Sequence, residues 1–357
     1  MDIDGKEDSI EELKGLRITP LDDDDDDDDE EIAVDDDEDD DEEEEEAVIL
    51  GFVEKPQHSW SVLRQQFPSK AGGVPAWLDA YNLPSGMSCV CDICGQPLQF
   101  VLQVYAPLVE KDSTFHRTLF VFMCLSMKCL QRDQHEQWKR HPEKQSRSVK
   151  VFRCQLPRAN TFYSNEPPKG NATDKPLTPG APLCNWCGTW KGDKFCSSCK
   201  IARYCSQKHQ AMHWHSGHKL ECQQLRLSPQ SSDCNACDGG ITEIRAQKVA
   251  NSPEQVLRYC RSASSKPLWP MSGGRPSKAD IARCSYCGGL LCFEFQILPQ
   301  LLYYFGVKDE DHSLDWATIV VYTCEASCEG IDYSCLYGLG LESQVASSSR
   351  EPILPQS

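Results

Sequence analysis

Four pairs of metal-ligand side chains crowd into residues 184–222: Cys184/Cys187, Cys196/Cys199, Cys205/His209 and His218/Cys222. A module this small has too little apolar material to fold around a core of its own, so whatever these side chains bind must supply its folding free energy. Zinc takes four thiolate or imidazole ligands in a tetrahedron at about 2.0–2.3 Å, and two ligands on one tight turn reach a single ion together. Eight ligands complete two such sites. A site closed by four protein ligands keeps no position for water or substrate, which argues for scaffolding and against zinc catalysis.

The chain has 357 residues and 21 cysteines. It shows no apolar run of membrane-spanning length and no basic start leading into an apolar stretch. The expectation is a soluble, non-secreted protein in a reducing compartment, where cysteines in number point to metal before disulfides. Two further sets have ligand spacing: Cys91/Cys94 with Cys124/Cys129, and Cys284/Cys287 with Cys324/Cys328. Each is expected to clip the end of a sheet with zinc. Cys234/Cys237 has the spacing but no second pair. It is read as free thiols, together with Cys89, Cys154, Cys260, Cys292 and Cys335.

Those two sets belong to an internal repeat. CDICGQPLQFVLQVYAPL, from Cys91, aligns without a gap on CSYCGGLLCFEFQILPQL, from Cys284, matching Cys94 with Cys287, Gly95 with Gly288 and Phe100 with Phe293. Trp77 and Trp269 precede the two copies. Short β-branched and aromatic runs bounded by Pro, Asp and Ser predict strands from Val48 and at 100–105, 119–123, 149–154, 291–298 and 318–323. The expected fold is mainly β: two similar β-rich halves, 47–163 and 255–335, packed as one pseudo-symmetric domain. The finger at 184–222 is looped out between them. The stretches 164–183, rich in Pro and Gly, and 223–254, loop or weak helix, read as linkers, and 336–357 as a loose tail.

Residues 22–46 hold 22 carboxylates, interrupted only by Ile32, Ala33 and Val34. They account for the whole of the formal charge of −19 and leave the rest of the chain at +3. Such a block repels itself and buries nothing, so 1–46 is expected to be a disordered acidic arm, either a solubiliser or a decoy for a basic partner.

The Cys/His block, with Tyr204 before Cys205 and Trp214 in its helical part, resembles the MYND-type zinc finger. That resemblance implies interleaved sites, Cys184, Cys187, Cys205 and His209 for one zinc, and Cys196, Cys199, His218 and Cys222 for the other. His209 stands where most members carry Cys. The His209 to His218 interval is one residue longer than usual, which makes His215 an alternative to His218. His213 is read as an exposed helix residue. MYND modules bind short Pro-containing peptides. The wider chain, through LGFVEKP, QFPSKAGGVPAWL, FHRTLFVFMC, KVFRCQLPRAN and DWATIVVYTC, resembles the programmed cell death protein 2 family. This implies a zinc-binding chaperone or adaptor for a newly made, basic small-subunit ribosomal protein, cytoplasmic and also nuclear, that supports ribosome assembly. The alternative is a nuclear adaptor recruiting corepressor-type partners through the finger. The family's final strand is replaced here by EGIDYSCLYGLGLESQVASSS, which puts the last cysteine set in question. No nucleophile motif, phosphate loop or acid/base pair suggests an enzyme. The barely basic body has no Lys/Arg row for sequence-specific nucleic-acid binding.

Overall fold

The computed structural model describes residues 48–137, 146–227, 242–247, 255–262, 264–270, 281, 283–308, 313–329 and 343–346. The acidic arm, Cys234, Cys237, Cys335 and most of the tail lie outside the described residues. The N-terminal half carries β1 (Ile49–Glu54), β2 (Lys70–Ala71), β3 (Gln99–Tyr105), β4 (His116–Met123), helix α1 (Met127–Gln137) and β5 (Val149–Leu156). The finger carries a hairpin, β6 (Lys194–Phe195) and β7 (Arg203–Tyr204), then helices α2 (Gln207–His213) and α3 (Lys219–Leu227). The C-terminal half carries β8 (Thr242–Gln247), β9 (Gln255–Ser262), β10 (Leu291–Ile297), helix α4 (Leu301–Tyr304), β11 (Thr318–Cys324) and β12 (Ser343–Ala346).

All strands but the finger hairpin join one ten-stranded sheet in the order β12-β11-β10-β9-β1-β8-β2-β3-β4-β5, with every pair antiparallel. The order is palindromic about its central pair, β1 and β8. The alignment that sets Cys91 against Cys284 also sets Ile49–Glu54 against Thr242–Gln247, so β1 and β8 are equivalent strands. They are exchanged. The N-terminal half's first strand pairs with β9, and the C-terminal half's first strand pairs with β2. Two stretches read as unstructured thus contribute strands: 223–250 supplies β8 and the Ser-rich end supplies β12. Their own propensity is weak. β8 is held by a partner on each side, and β12 by β11, so pairing decided the state.

The halves share a core. In β4, Leu119, Val121 and Met123 point to the same cluster as Val256 of β9, Phe295 and Ile297 of β10, and Ile319 and Val321 of β11. The alternate residues Phe120 and Phe122 point to a second cluster on the outer face, with Trp77, Phe100, Phe152 and Trp190. A period of two with both faces buried explains why Leu119–Met123 of β4 reads as an unbroken apolar run. Bulges interrupt β3 between Phe100 and Leu102 and β10 between Phe293 and Phe295, at equivalent positions. Each bulge turns one extra side chain, Val101 or Glu294, toward the interior.

The finger is docked, contrary to the looped-out expectation. Trp190, 2 % exposed, lies 4.4 Å from the Phe122 ring and donates from Nε1 to the Leu98 carbonyl at 3.2 Å. Trp77 donates to the Thr189 carbonyl at 2.8 Å. The Pro/Gly stretch before the finger is laid on the same half: Gln65 and Gln66 donate to Asp174, and the Ala181 N–H donates to the Ala80 carbonyl at 2.7 Å. The apolar outer face of β3–β5 requires this cover. Cys154, fully buried, is in a disulfide and so departs from its expected free-thiol state, while Cys89 and Cys292 are free and Cys260 contacts the Ser265 hydroxyl at 2.8 Å.

Candidate metal centres

The finger's two ligand sets are assembled by turns, a cap and one irregular helical turn. Cys184 and Cys187 flank a tight turn in which the Gly188 N–H donates to the Cys184 carbonyl at 2.8 Å, with Gly188 at φ 61°. A Cβ there would lie 2.9 Å from Val74 Cγ1, so both backbone and space demand glycine. Cys196 and Cys199 repeat the turn, closed by Lys200 at φ 60° and a 3.0 Å bond to the Cys196 carbonyl. Cys205 follows β7 directly. Ser206 then caps α2 by accepting from the His209 N–H at 3.1 Å, which fixes His209 in the first helical turn.

Helix α2 runs into a π-helical turn, Trp214–His218, in which Gly217 leaves helical geometry. A π turn absorbs one residue more than an α turn. The one-residue surplus between His209 and His218 is accommodated there, and the turn places His218, buried, in the second set. His215 is exposed and stays outside it. His213 is half-buried, not exposed as expected. Its Nδ1 is 3.0 Å from the Tyr204 hydroxyl and its ring stacks on His218 at 4.8 Å.

The structure brings the eight side chains together as two interleaved sets, Cys184, Cys187, Cys205 and His209, and Cys196, Cys199, His218 and Cys222. A tetrahedron with bonds of 2.0–2.3 Å has edges of about 3.3–3.8 Å. Across the first set Cys184 Sγ lies 3.7 Å and Cys205 Sγ 3.1 Å from His209 Nδ1, and Cys187 and Cys205 are 3.9 Å apart. Across the second, Cys196 and Cys222 are 3.8 Å apart and Cys199 is 3.7 Å from His218 Nε2. Disulfides would need sulfurs at about 2.05 Å. The electrostatics agree with a cation. Hydrogen bonds with Cys187 and Cys205 hold the Cys184 thiol far below its ordinary range, while those with Cys184 and Cys187 drive Cys205 far above it. So many donors cannot all ionise side by side unless a cation neutralises them. The donor set, spacing and burial fit one zinc each, through Nδ1 of His209 and Nε2 of His218. Sequence reading missed Glu221, whose Oε2 lies 3.5 Å from His218 Nδ1, where it can fix that ring's orientation. Its position three residues after His218 was the available signal.

The outer sets also converge. Cys91, Cys94, Cys124 and Cys129 form one group, and Cys284, Cys287, Cys324 and Cys328 the other, with sulfurs in each within 4.8 Å of one another.

The chain matches the N-terminal domain of programmed cell death protein 2 over residues 47–170, its C-terminal domain over 245–337, and the MYND finger over 184–222. It is 35% identical over 342 residues to programmed cell death protein 2 of Bos taurus, spanning 80% of this chain and 93% of that protein. Identity to the Rattus norvegicus protein is 36% over 343 residues, 80% of this chain and 94% of that one. Programmed cell death protein 2-like of Mus musculus is 28% identical over 320 residues, 73% of this chain and 85% of that protein. No solved structure matches the chain. With both terminal domains, a zinc-binding MYND finger between them, and this identity over most of its length, the chain belongs to the programmed cell death protein 2 family.

Proposed function

We propose that the protein is a dedicated chaperone for a newly made, basic small-subunit ribosomal protein, which it holds until ribosome assembly. A MYND finger is a protein-interaction module, and the finer reading rests on one observation. Both halves line an apolar cavity of about 240 Å³, with Ile49 and Gly51 of β1, Val104 of β3, and Leu257 and Tyr259 of β9 in its wall. In sequence, β1 directly follows the 22-carboxylate run. An apolar recess can take a specific side chain of the client, and the run can cover its RNA-binding charges. The reading puts the protein in the cytoplasm, where ribosomal proteins are made, with passage to the nucleus.

A second reading, an adaptor that recruits corepressor-type partners, draws on the finger's exposed apolar residues Met212, Trp214 and Leu220. Affinity purification of the full-length chain followed by mass spectrometry separates the two. A small-subunit ribosomal protein near stoichiometry is expected. Corepressors without any ribosomal protein would replace the chaperone reading with the adaptor.

A further inference from the structure

We propose that each half carries its own zinc ion, one held by Cys91, Cys94, Cys124 and Cys129 and the other by Cys284, Cys287, Cys324 and Cys328, so that the chain binds four zinc ions, two of them outside the finger.

The outer sets use the finger's own binding turn. The Gly95 N–H donates to the Cys91 carbonyl and the Gly288 N–H to the Cys284 carbonyl, each at 2.8 Å, as Gly188 does to Cys184. The residue after the second cysteine sits in the left-handed region in all four turns: φ is 69° at Gly95, 61° at Gly188, 60° at Lys200 and 68° at Gly288. The first cysteine's N–H is bonded in the same way in each, Cys91 to the Gln96 carbonyl, Cys184 to Trp190, Cys196 to Ala202 and Cys284 to Gly289, at 2.8–2.9 Å. This turn aims two sulfurs at one point. Where the finger uses it, a second ligand pair completes a tetrahedron.

In the halves the second pair arrives at the end of the strand next to the turn. Cys124 follows β4 and Cys129 lies in the first turn of α1, while Cys324 ends β11 and Cys328 follows a short turn. Cys94 lies 3.6 Å from Cys124, and its repeat equivalent Cys287 lies 3.6 Å from Cys324. Cys284 and Cys328 are 3.5 Å apart. These are edges of a zinc–thiolate tetrahedron and far longer than a disulfide, and all eight cysteines are free. Five of the eight, Cys91, Cys124, Cys129, Cys284 and Cys324, are buried. Packing four thiols into sulfur contact twice, at repeat-related places, has no gain from hydrophobic burial that aliphatic side chains would not give more cheaply. A shared cation gives the arrangement a reason.

The second site also bears on how the halves hold together. Its closing turn is gripped by the other half. Arg153 donates to the Cys328 carbonyl, Lys111 to the Ala326 and Ser327 carbonyls at 3.3 and 3.2 Å, and Gln155 to the Ser327 carbonyl at 3.3 Å. An ion that fixes this turn therefore fixes an acceptor surface for the N-terminal half.

The test is metal content and ligand environment of the full-length protein. Native mass spectrometry should show four zinc ions, and two in the wild type would overturn the proposal. Cys91→Ser/Cys94→Ser and Cys284→Ser/Cys287→Ser should each lose one ion and keep the finger's two. Retention of all four in either variant would also overturn it. Zinc X-ray absorption of the unmutated chain covers the case in which those variants misfold. Four sites average 3.5 sulfur and 0.5 nitrogen ligands per ion, whereas the finger alone averages three and one. The second ratio, or iron in place of zinc in the four-sulfur sites, counts against the assignment.

Discussion

Arg117 of β4 and Glu294 of β10 form a two-pronged ion pair between the halves, Nη1 to Oε1 at 2.7 Å and Nη2 to Oε2 at 2.8 Å, with neither side chain reaching solvent. Glu294 owes its inward direction to the β10 bulge. The equivalent bulge in β3 presents Val101 to the same core. Tyr259 at 2.9 Å, Arg261 at 3.1 Å and Thr323 complete the carboxylate's partners. Burial would push the Glu294 carboxyl up, but the Arg117 and Arg261 guanidinium groups hold it below the usual range. The pseudo-symmetry is thus broken by a buried charge whose two-pronged partner comes from the other half, which specifies how the halves meet.

Glu294→Ala leaves two guanidinium groups without their carboxylate and should cost about 3–5 kcal/mol. The Arg117→Met/Glu294→Leu double variant should recover much of that, because the buried charge pair itself is gone. Denaturant titration of the three proteins reads this directly. Equal losses in the single and double variants would show that packing, not charge, sets the cost.

Trp190→Ala should cost about 3–5 kcal/mol and loosen the finger from the N-terminal half, since it removes the large buried side chain that the finger contributes to that contact. Hydrogen exchange should rise in the finger and around Phe122 together. A rise confined to the finger would mean that the outer face of the sheet does not depend on this cover.

His209→Cys should keep both zinc ions in the finger, since thiolate is an equally good ligand, whereas His209→Ala should lose one. His213 and His215 are not placed to substitute: one is bonded to Tyr204 and the other faces solvent. Zinc counting by native mass spectrometry is the measurement. Two ions retained in His209→Ala would show that another histidine takes over.

His116 is buried between the Phe67 ring, 4.4 Å away, and the Tyr105 hydroxyl, 3.0 Å from its Nδ1. Burial lowers its pKa to about 4. The unfolded chain takes up this proton at about pH 6.5 while the folded one does not, so its contribution is present above pH 6.5 and lost as the pH falls toward 4. A His116→Asn variant should show a shallower fall in stability than the wild type over that window. Parallel curves would assign the acid sensitivity to the thiolate sites alone.

Deleting residues 22–46 should slow association with a basic client and flatten its salt dependence, with little change in dissociation. The attraction is long-range and screened over about 8 Å at physiological salt. Association rates at two ionic strengths check this. Identical rates for the two proteins would reduce the acidic run to a solubilising segment.

The sequence by itself determined the metal chemistry, the main strands and the repeat. Paired ligands at short spacing and unbroken β-branched runs are local signals, and Cys91 and Cys284 align without a gap. Only the tertiary structure decided the rest. Nothing local in Thr242–Gln247 marks a strand, because its state comes from β1 and β2 on either side. The exchange of β1 and β8 depends on pairing across nearly two hundred residues, and the state of the edge strand β12 is likewise set by its partner β11. The docking of the finger through Trp190 follows from an outer sheet face that becomes apolar only once β3, β4 and β5 are assembled. The inward turn of Glu294 is likewise set by a bulge, and a bulge exists only between paired strands.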